Sequence, residues 1–246
     1  MDSFKKMNLL LLFSVIFLSL QTLAWGGRGH HAICSAAPHL VKDDSLKNFL
    51  KFRPHTMGHL CNIPDIYWKS IGPDVSDLGN PTHYIDPELI GLKINQVPLD
   101  IQSIINKYTG TENLYKKTAK IFSIPKEFGT LWWRADQFFR LISDLKPAFT
   151  STELPKNNKE EQDEKLAYNQ SVYSMMLYMG LMGHFIGDAS QPFHATADHD
   201  GYGTGHGGIH SYYEEQVVSN FGSDLEKLII DKAKTIKDTK LVTGSP

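Results

Sequence analysis

Apolar residues along this chain recur mostly at helical spacing, and the segments that carry the pattern are 33–52, 99–123, 128–146, 167–188, 211–220 and 225–235. Alternation of period two, the mark of a half-buried strand, is nearly absent. The pattern predicts an all-α fold of one domain without internal repeats. Punctuated loops separate the helices, from Gly72-Pro73-Asp74 through Gly79-Asn80-Pro81 and across the glycine-rich run 201–208. The polar, mixed-charge run 156–165 reads as a solvated loop leading into a helix. Trp132, Trp133, Phe138 and Phe139 share a predicted helix with Arg134, Asp136 and Arg140, and this aromatic stripe is assigned to packing.

The N-terminus departs from this pattern. Lys5 and Lys6 precede an almost unbroken apolar run at 9–20, and Thr22-Leu23-Ala24 supplies a small-residue cleavage site. The run is short for a comfortable membrane span. Residues 1–24 are therefore read as a signal peptide and 25–246 as the mature domain, beginning at Trp25 and secreted or periplasmic. An oxidising compartment permits a disulfide between Cys34 and Cys61, the only two cysteines. Two buried free thiols fit equally well, because sequence does not place their Cα atoms within bridging distance.

Composition adds two bounds. With 246 residues, 41% hydrophobic and 21% charged, the chain can build one good-sized core. Its formal net charge of -2 excludes a global basic field, so a nucleic acid would have to be held by metals and local groups.

The candidate chemistry lies in the eleven histidines and their spacing to carboxylates. In Gly183-His184-Phe185-Ile186-Gly187-Asp188 the His and Asp stand four apart, on one face of an otherwise apolar helix. His194 follows past Pro192, and His210 and Glu214 repeat the i, i+4 arrangement. One such pair suits a structural hydrogen bond, whereas two pairs with a histidine between them suit zinc. Asn62-Ile63-Pro64-Asp65, Thr82-His83-Tyr84-Ile85-Asp86 and Trp25-Gly26-Gly27-Arg28-Gly29-His30 supply further donors. A free α-amine at Trp25, with an ordinary pKa of about 8, could chelate a metal together with its own carbonyl. His31, His39, His55, His59, His199 and His206 are read as exposed or supporting, with His199 and His206 able to line a cleft mouth.

In order and spacing, the mature Trp-Gly, Pro-Asp, His-Tyr-Ile-Asp, Gly-His-Phe-Ile-Gly-Asp, Gln-Pro-Phe-His and final His-x-x-x-acid resemble one superfamily. It comprises the bacterial zinc phospholipases C and the single-strand-specific nucleases of the S-one/P-one type. The resemblance spans 25–214 and implies a helical phospholipase C/nuclease-like fold with three Zn2+ per chain at the base of a cleft. It implies that Asp65, His83, His184 and Asp188 surround one zinc. Asp188 would bridge to a second held by the Trp25 amine and carbonyl and His30, and His194, His210 and Glu214 would hold the third. Asp65 would orient the attacking water.

On substrate, the choline-binding phospholipases carry an acid three residues after the N-terminal Trp and an aromatic after the metal Asp, where this chain has Arg28 and Ile66. The nucleases carry an aromatic and an Asp that hold a splayed base, matched by Tyr84 and Asp86. Their phosphate-contacting arginine is replaced by Trp68, with Lys69 next to it as a substitute. The resemblance thus implies an endonuclease acting on single-stranded DNA or RNA, with nucleotide 3′-phosphates as further substrates and no stable protein partner. Glu214, where the nucleases have Asp and the phospholipases Glu, keeps a phospholipase C as the alternative, and a non-catalytic zinc-binding protein is a third reading. The sequence stops at Pro246 directly after a helical segment, where the nuclease relatives continue with further helices.

Overall fold

A computed structural model describes residues 25–69, 72, 77–151 and 156–236. The expected signal peptide, 1–24, lies outside the described residues. Among those described there is no strand, only an isolated antiparallel bridge between Glu112 and Lys120, and the fold is all-α. No helix among them is long and apolar enough to cross a membrane.

Among the described residues, seven α-helices of seven residues or more give the frame: α1 Gly26–Ala36, α2 Asp44–Leu50, α3 Pro54–Cys61, α4 Ile101–Tyr108, α5 Leu131–Ser151, α6 Ala167–Ala189 and α7 Leu225–Thr235. Local chemistry sets several starts. The Asp43 and Asp100 carboxylates accept backbone N–H groups at the heads of α2 and α4, and Pro54 opens α3, where its missing N–H removes no helical bond.

Helix α6 is the spine. Its N-terminal half buries Tyr168, Val172 and Met176 against Phe49, Leu50 and Met57; its C-terminal half buries Leu181 and Phe185 in a larger cluster with Ile85, Ile104, Ile121, Phe128, Leu131 and Phe138. Because α6 meets α5, α3 and α1, it is apolar on most of its circumference, as a helix enclosed on several sides must be. Two of its glycines set how closely the neighbours approach. A Cβ on Gly180 would stand 2.5 Å from the Leu60 Cβ, and one on Gly183 would stand 2.5 Å from the Cys34 sulfur. Cys34 and Cys61 are joined in a disulfide with Cα atoms 6.2 Å apart, tying α1 to α3.

The sequence segments at 167–188 and 225–235 match α6 and α7 closely. Others are corrected. The run 33–52 breaks at a 3-10 turn, Ala37–His39, because Pro38 cannot continue the helical ladder, and Asp43 caps a new helix beyond it. The run 99–123 is helical only to Tyr108; Gly110, at φ 82°, reverses the chain, and Ile121 is buried from a loop. Its apolar spacing reflects core contacts rather than a helix. The run 211–220 divides into a short helix Ile209–Ser211, a π-turn Tyr212–Val217 and a 3-10 stretch Val218–Asp224. The aromatic stripe on α5 is only partly a core feature. The Phe138 ring stacks on Phe185 at 5.8 Å and Trp132 and Trp133 pack against the core, while Phe139, one position round the helix, is 58% exposed.

Candidate metal centre

Five pieces of chain converge on the C-terminal end of α6. Helix α1 delivers His30, and a π-turn, Pro64–Trp68, delivers Asp65. The loop after the 3-10 turn Asn80–Thr82 delivers His83, and α6 itself carries His184 and Asp188. The 3-10 turn Pro192–Ala195 then brings in His194, and the chain around Ile209–Ser211 brings His210 and Glu214. All eight side chains are buried.

Their donor atoms face one another. Nε2 of His184 lies 3.0 Å from Nδ1 of His83 and 3.2 Å from Oδ2 of Asp188, and His83 Nδ1 lies 2.8 Å from that same oxygen. Nε2 of His194 and of His210 are 3.1 Å apart, with Glu214 Oε1 2.9 Å from the second. Two atoms each bound at 2.0–2.1 Å to a tetrahedral ion sit about 3.3 Å apart, so these spacings are compatible with a shared ion as well as with hydrogen bonds. The donors form three groups able to hold a metal: His30, Asp65 and His184; His83, His184 and Asp188; His194, His210 and Glu214.

Asp188 joins them. Its Oδ1 is 3.2 Å from His30 Nε2 and 3.3 Å from His194 Nδ1, while its Oδ2 faces His83 and His184. The ring of His30 stacks on that of His184 at 3.8 Å, and Gly187 leaves room for it, since a Cβ there would stand 3.2 Å from His30 Nδ1. Asp65 stands further off. It lies 3.7 Å from His30 Nε2 and His83 Nδ1 and 4.0 Å from His184 Nε2, and its Oδ1 is 2.6 Å from the buried Lys69 ammonium.

Several of these buried atoms have no hydrogen-bond partner among the described residues: both ring nitrogens of His30, Nε2 of His83, Nδ1 of His194 and of His210, and Oε2 of Glu214. Leaving buried polar atoms unpaired is costly, and a cation among them removes the cost. Electrostatics prepares the donors. Burial, joined by the Lys69 charge, pushes His83 down to about 4, and burial likewise lowers His184 and His194, so these imidazoles are neutral at neutral pH. Burial alone would raise Asp188, but His184, His194 and His30 outweigh it and hold its carboxyl well below the usual range. For His30 burial is outweighed by Asp188 and Asp65, which raise it.

Outside the donors, three contacts fix orientation. His184 Nδ1 lies 2.7 Å from the Cys61 carbonyl, which assigns the proton to Nδ1 and leaves Nε2 a lone pair. The buried Gln191 amide donates to Glu214 Oε1 at 2.6 Å. The Trp25 indole N–H donates to the Gly187 carbonyl at 2.8 Å, so residue 25 is tied beside Asp188, in the left-handed conformation at φ 51° with its carbonyl accepting from Gly29 N–H.

Above the histidines opens a cleft of about 190 Å³, lined by Lys69, Asn80, His83, Tyr84, Phe193, His194, His199 and His210. Tyr84 is half-buried and its hydroxyl donates to the Lys126 carbonyl at 2.9 Å. Asp86 is buried but does not line this cleft. Burial, with Glu88 nearby, pushes its carboxyl up to about 7. Sequence reasoning passed over Asn80, Phe193, Gln191 and Asp200, whose Oδ1 faces His210 Nδ1 at 3.7 Å. Phe193 and Gln191 stand within the Gln-Pro-Phe-His motif, which was the available signal; Asn80 and Asp200 had none. No protein-family model, curated protein or solved structure matches this chain.

Proposed function

We propose that this chain is an exported, zinc-dependent phosphodiesterase of the S-one/P-one nuclease type, acting on single-stranded nucleic acid. The observation that carries it is Asp188, one buried carboxylate facing four histidines at the floor of an open cleft. A purely structural cluster has no use for so many converging buried donors beside solvent, whereas a multinuclear hydrolytic centre requires them.

His83, His184, Asp65 and Asp188 would hold one Zn2+, His30 and the Trp25 main chain with Asp188 a second, and His194, His210 and Glu214 a third. When bound, zinc supplies an acidified water at neutral pH and positive charge for the phosphate. The residues around it do the rest. Asp65, fixed by Lys69, orients the water by accepting its hydrogen bond, and Lys69 at the cleft wall adds a cation close to the phosphate oxygens. Tyr84 offers its ring to a base, a sequence-tolerant contact of roughly 1–3 kcal/mol.

The test is hydrolysis of bis-p-nitrophenyl phosphate, single-stranded DNA and phosphatidylcholine, each with and without chelator. Chelator-sensitive cleavage of the aryl diester and of DNA is expected. Faster cleavage of phosphatidylcholine would move the reading to a phospholipase C, and inactivity on all three would leave a zinc-binding protein. Within the nuclease reading, Tyr84→Ala should weaken oligonucleotide binding much more than it slows the aryl diester.

A further inference from the structure

Beside the metal cleft lies a second depression, of about 200 Å³, lined by Trp68, Leu78, Gly79, Thr82 and Arg134. The same stretches of chain build both. Residues 69, 80 and 83 face the metal cleft, and their neighbours 68, 79 and 82 face the second depression. The 3-10 turn Asn80–Thr82 is the wall between them, held by the Thr82 hydroxyl donating to the Gly79 carbonyl at 2.7 Å. The two depressions thus share a wall built from one stretch of chain.

Its lining is unusual for a packing gap. Arg134 projects from α5 and is half-buried, and burial lowers its pKa, the direction of a guanidinium that gives up water without gaining a carboxylate. The one hydrogen bond of its guanidinium among the described residues goes to the neutral Gln137 amide, at 2.7 Å, and no ion pair involves it there. Contrast Arg28, held by both oxygens of Glu226. A partly desolvated guanidinium with unused N–H groups is a receptor for a phosphate or carboxylate. Beside it stands Trp68, tilted against Phe185 at 6.4 Å and half-buried, an aromatic surface of the kind on which a base stacks.

Resting on the nuclease reading above, we infer that the Trp68–Arg134 depression is an extended subsite, holding a nucleotide beyond the two joined by the cleaved bond, with Arg134 on its phosphate and Trp68 against its base. The occupant is single-stranded nucleic acid rather than a lone nucleotide. The overall net charge of -2 makes such local cations the means of holding a polyanion.

The experiment measures kcat/KM on an octathymidylate, a thymidine dinucleotide and bis-p-nitrophenyl phosphate for the zinc-loaded protein and for Arg134→Gln and Arg134→Lys, with thermal unfolding as a folding check. Arg134→Gln should lower kcat/KM on the octamer about tenfold, the size of one charge-assisted hydrogen bond. It should leave the dinucleotide and the aryl diester unchanged, and reduce the slope of log affinity for the octamer against log salt by about 0.7. Arg134→Lys should recover the salt slope and part of the rate. Equal losses on all three substrates, or no loss on the octamer, would overturn the subsite. A wild-type protein that hydrolyses the aryl diester but neither binds nor cleaves the octamer overturns the nuclease reading and the subsite together, whereas octamer cleavage indifferent to Arg134 overturns the subsite alone.

Discussion

The Nδ1–H of His184 donates to the main-chain carbonyl of Cys61, 2.7 Å away, and Cys61 is itself bonded to Cys34 four residues beyond His30. One covalent link thus fixes the orientation of one candidate ligand and the helix that carries another. Cross-linking cysteines 27 positions apart restricts the unfolded chain by about 3–4 kcal/mol. Replacing both cysteines with Ala should lower stability to chemical denaturants by that order. It should also weaken zinc retention, because the Cys61 carbonyl and α1 lose their common tether. Denaturation curves and metal content of the same samples check both effects; unchanged metal affinity would show that helix packing alone orients His184.

Asp188 is where a single change should reach furthest. Asp188→Asn keeps size but removes the charge that faces His30, His83, His184 and His194. Zinc content by elemental analysis should fall by more than one ion per chain and activity by at least about a hundredfold. In the unaltered protein, chelation should lower the thermal midpoint by about 10 °C, since Asp65, Asp188 and Glu214 are left buried with only Lys69 as a permanent cation among them.

Asp200 faces His210 from the side opposite Glu214, with Oδ1 3.7 Å from Nδ1. That gap is too long for a hydrogen bond, so Asp200 acts on the ring through its charge, an effect smaller than the about 10–100-fold of a bonded partner. Asp200→Asn should therefore weaken one zinc of three selectively in a chelator titration, and Asp200→Glu should restore much of it. Three ions lost in parallel would assign Asp200 to the loop rather than to the metal.

A pH effect follows from Asp86. Its carboxyl is near 3.8 when unfolded and about 7 in the folded protein, raised by burial and by Glu88 against the pull of Lys116. Between those values the folded chain keeps a proton that the unfolded chain has released, so stability falls as pH rises through this window and is level above it. Asp86→Asn should remove the fall, leaving the variant more stable than the parent at pH 8 by up to about 4 kcal/mol and little changed at pH 4. Paired denaturation curves at the two values test it, the shared titration of the histidines cancelling in the difference.

The donors were legible because their spacing is local. His184 with Asp188, and His210 with Glu214, declare a common face within a single turn, and the apolar period of α6 shows that this face is buried. What sequence did not show depends on packing between distant pieces. Lys69 sits one turn from Asp65, but only the π-turn brings its ammonium onto that carboxylate. Gln191 on Glu214, and Arg134 beside Trp68, join residues whose separation carries no pattern. The same limit explains the helix misread at 99–123, where Ile104 and Ile121 are buried from a helix and a loop with no shared period.

The contacts at the floor of the cleft also set a timetable for folding. His83 reaches Asp188 across 105 positions, His184 reaches Cys61 across 123, and the Trp25 indole reaches Gly187 across 162. Loops of that length close late, after α3, α5 and α6 have had time to form from near neighbours. Until Asp188 arrives, His30 and Asp65 have no bridging partner, and on a growing chain they wait for more than a hundred further residues. On the zinc reading, tight metal capture would report that the whole spine is in place, and a protein halted partway would be distinguished by its inability to hold the ion before any loss of helix could be seen.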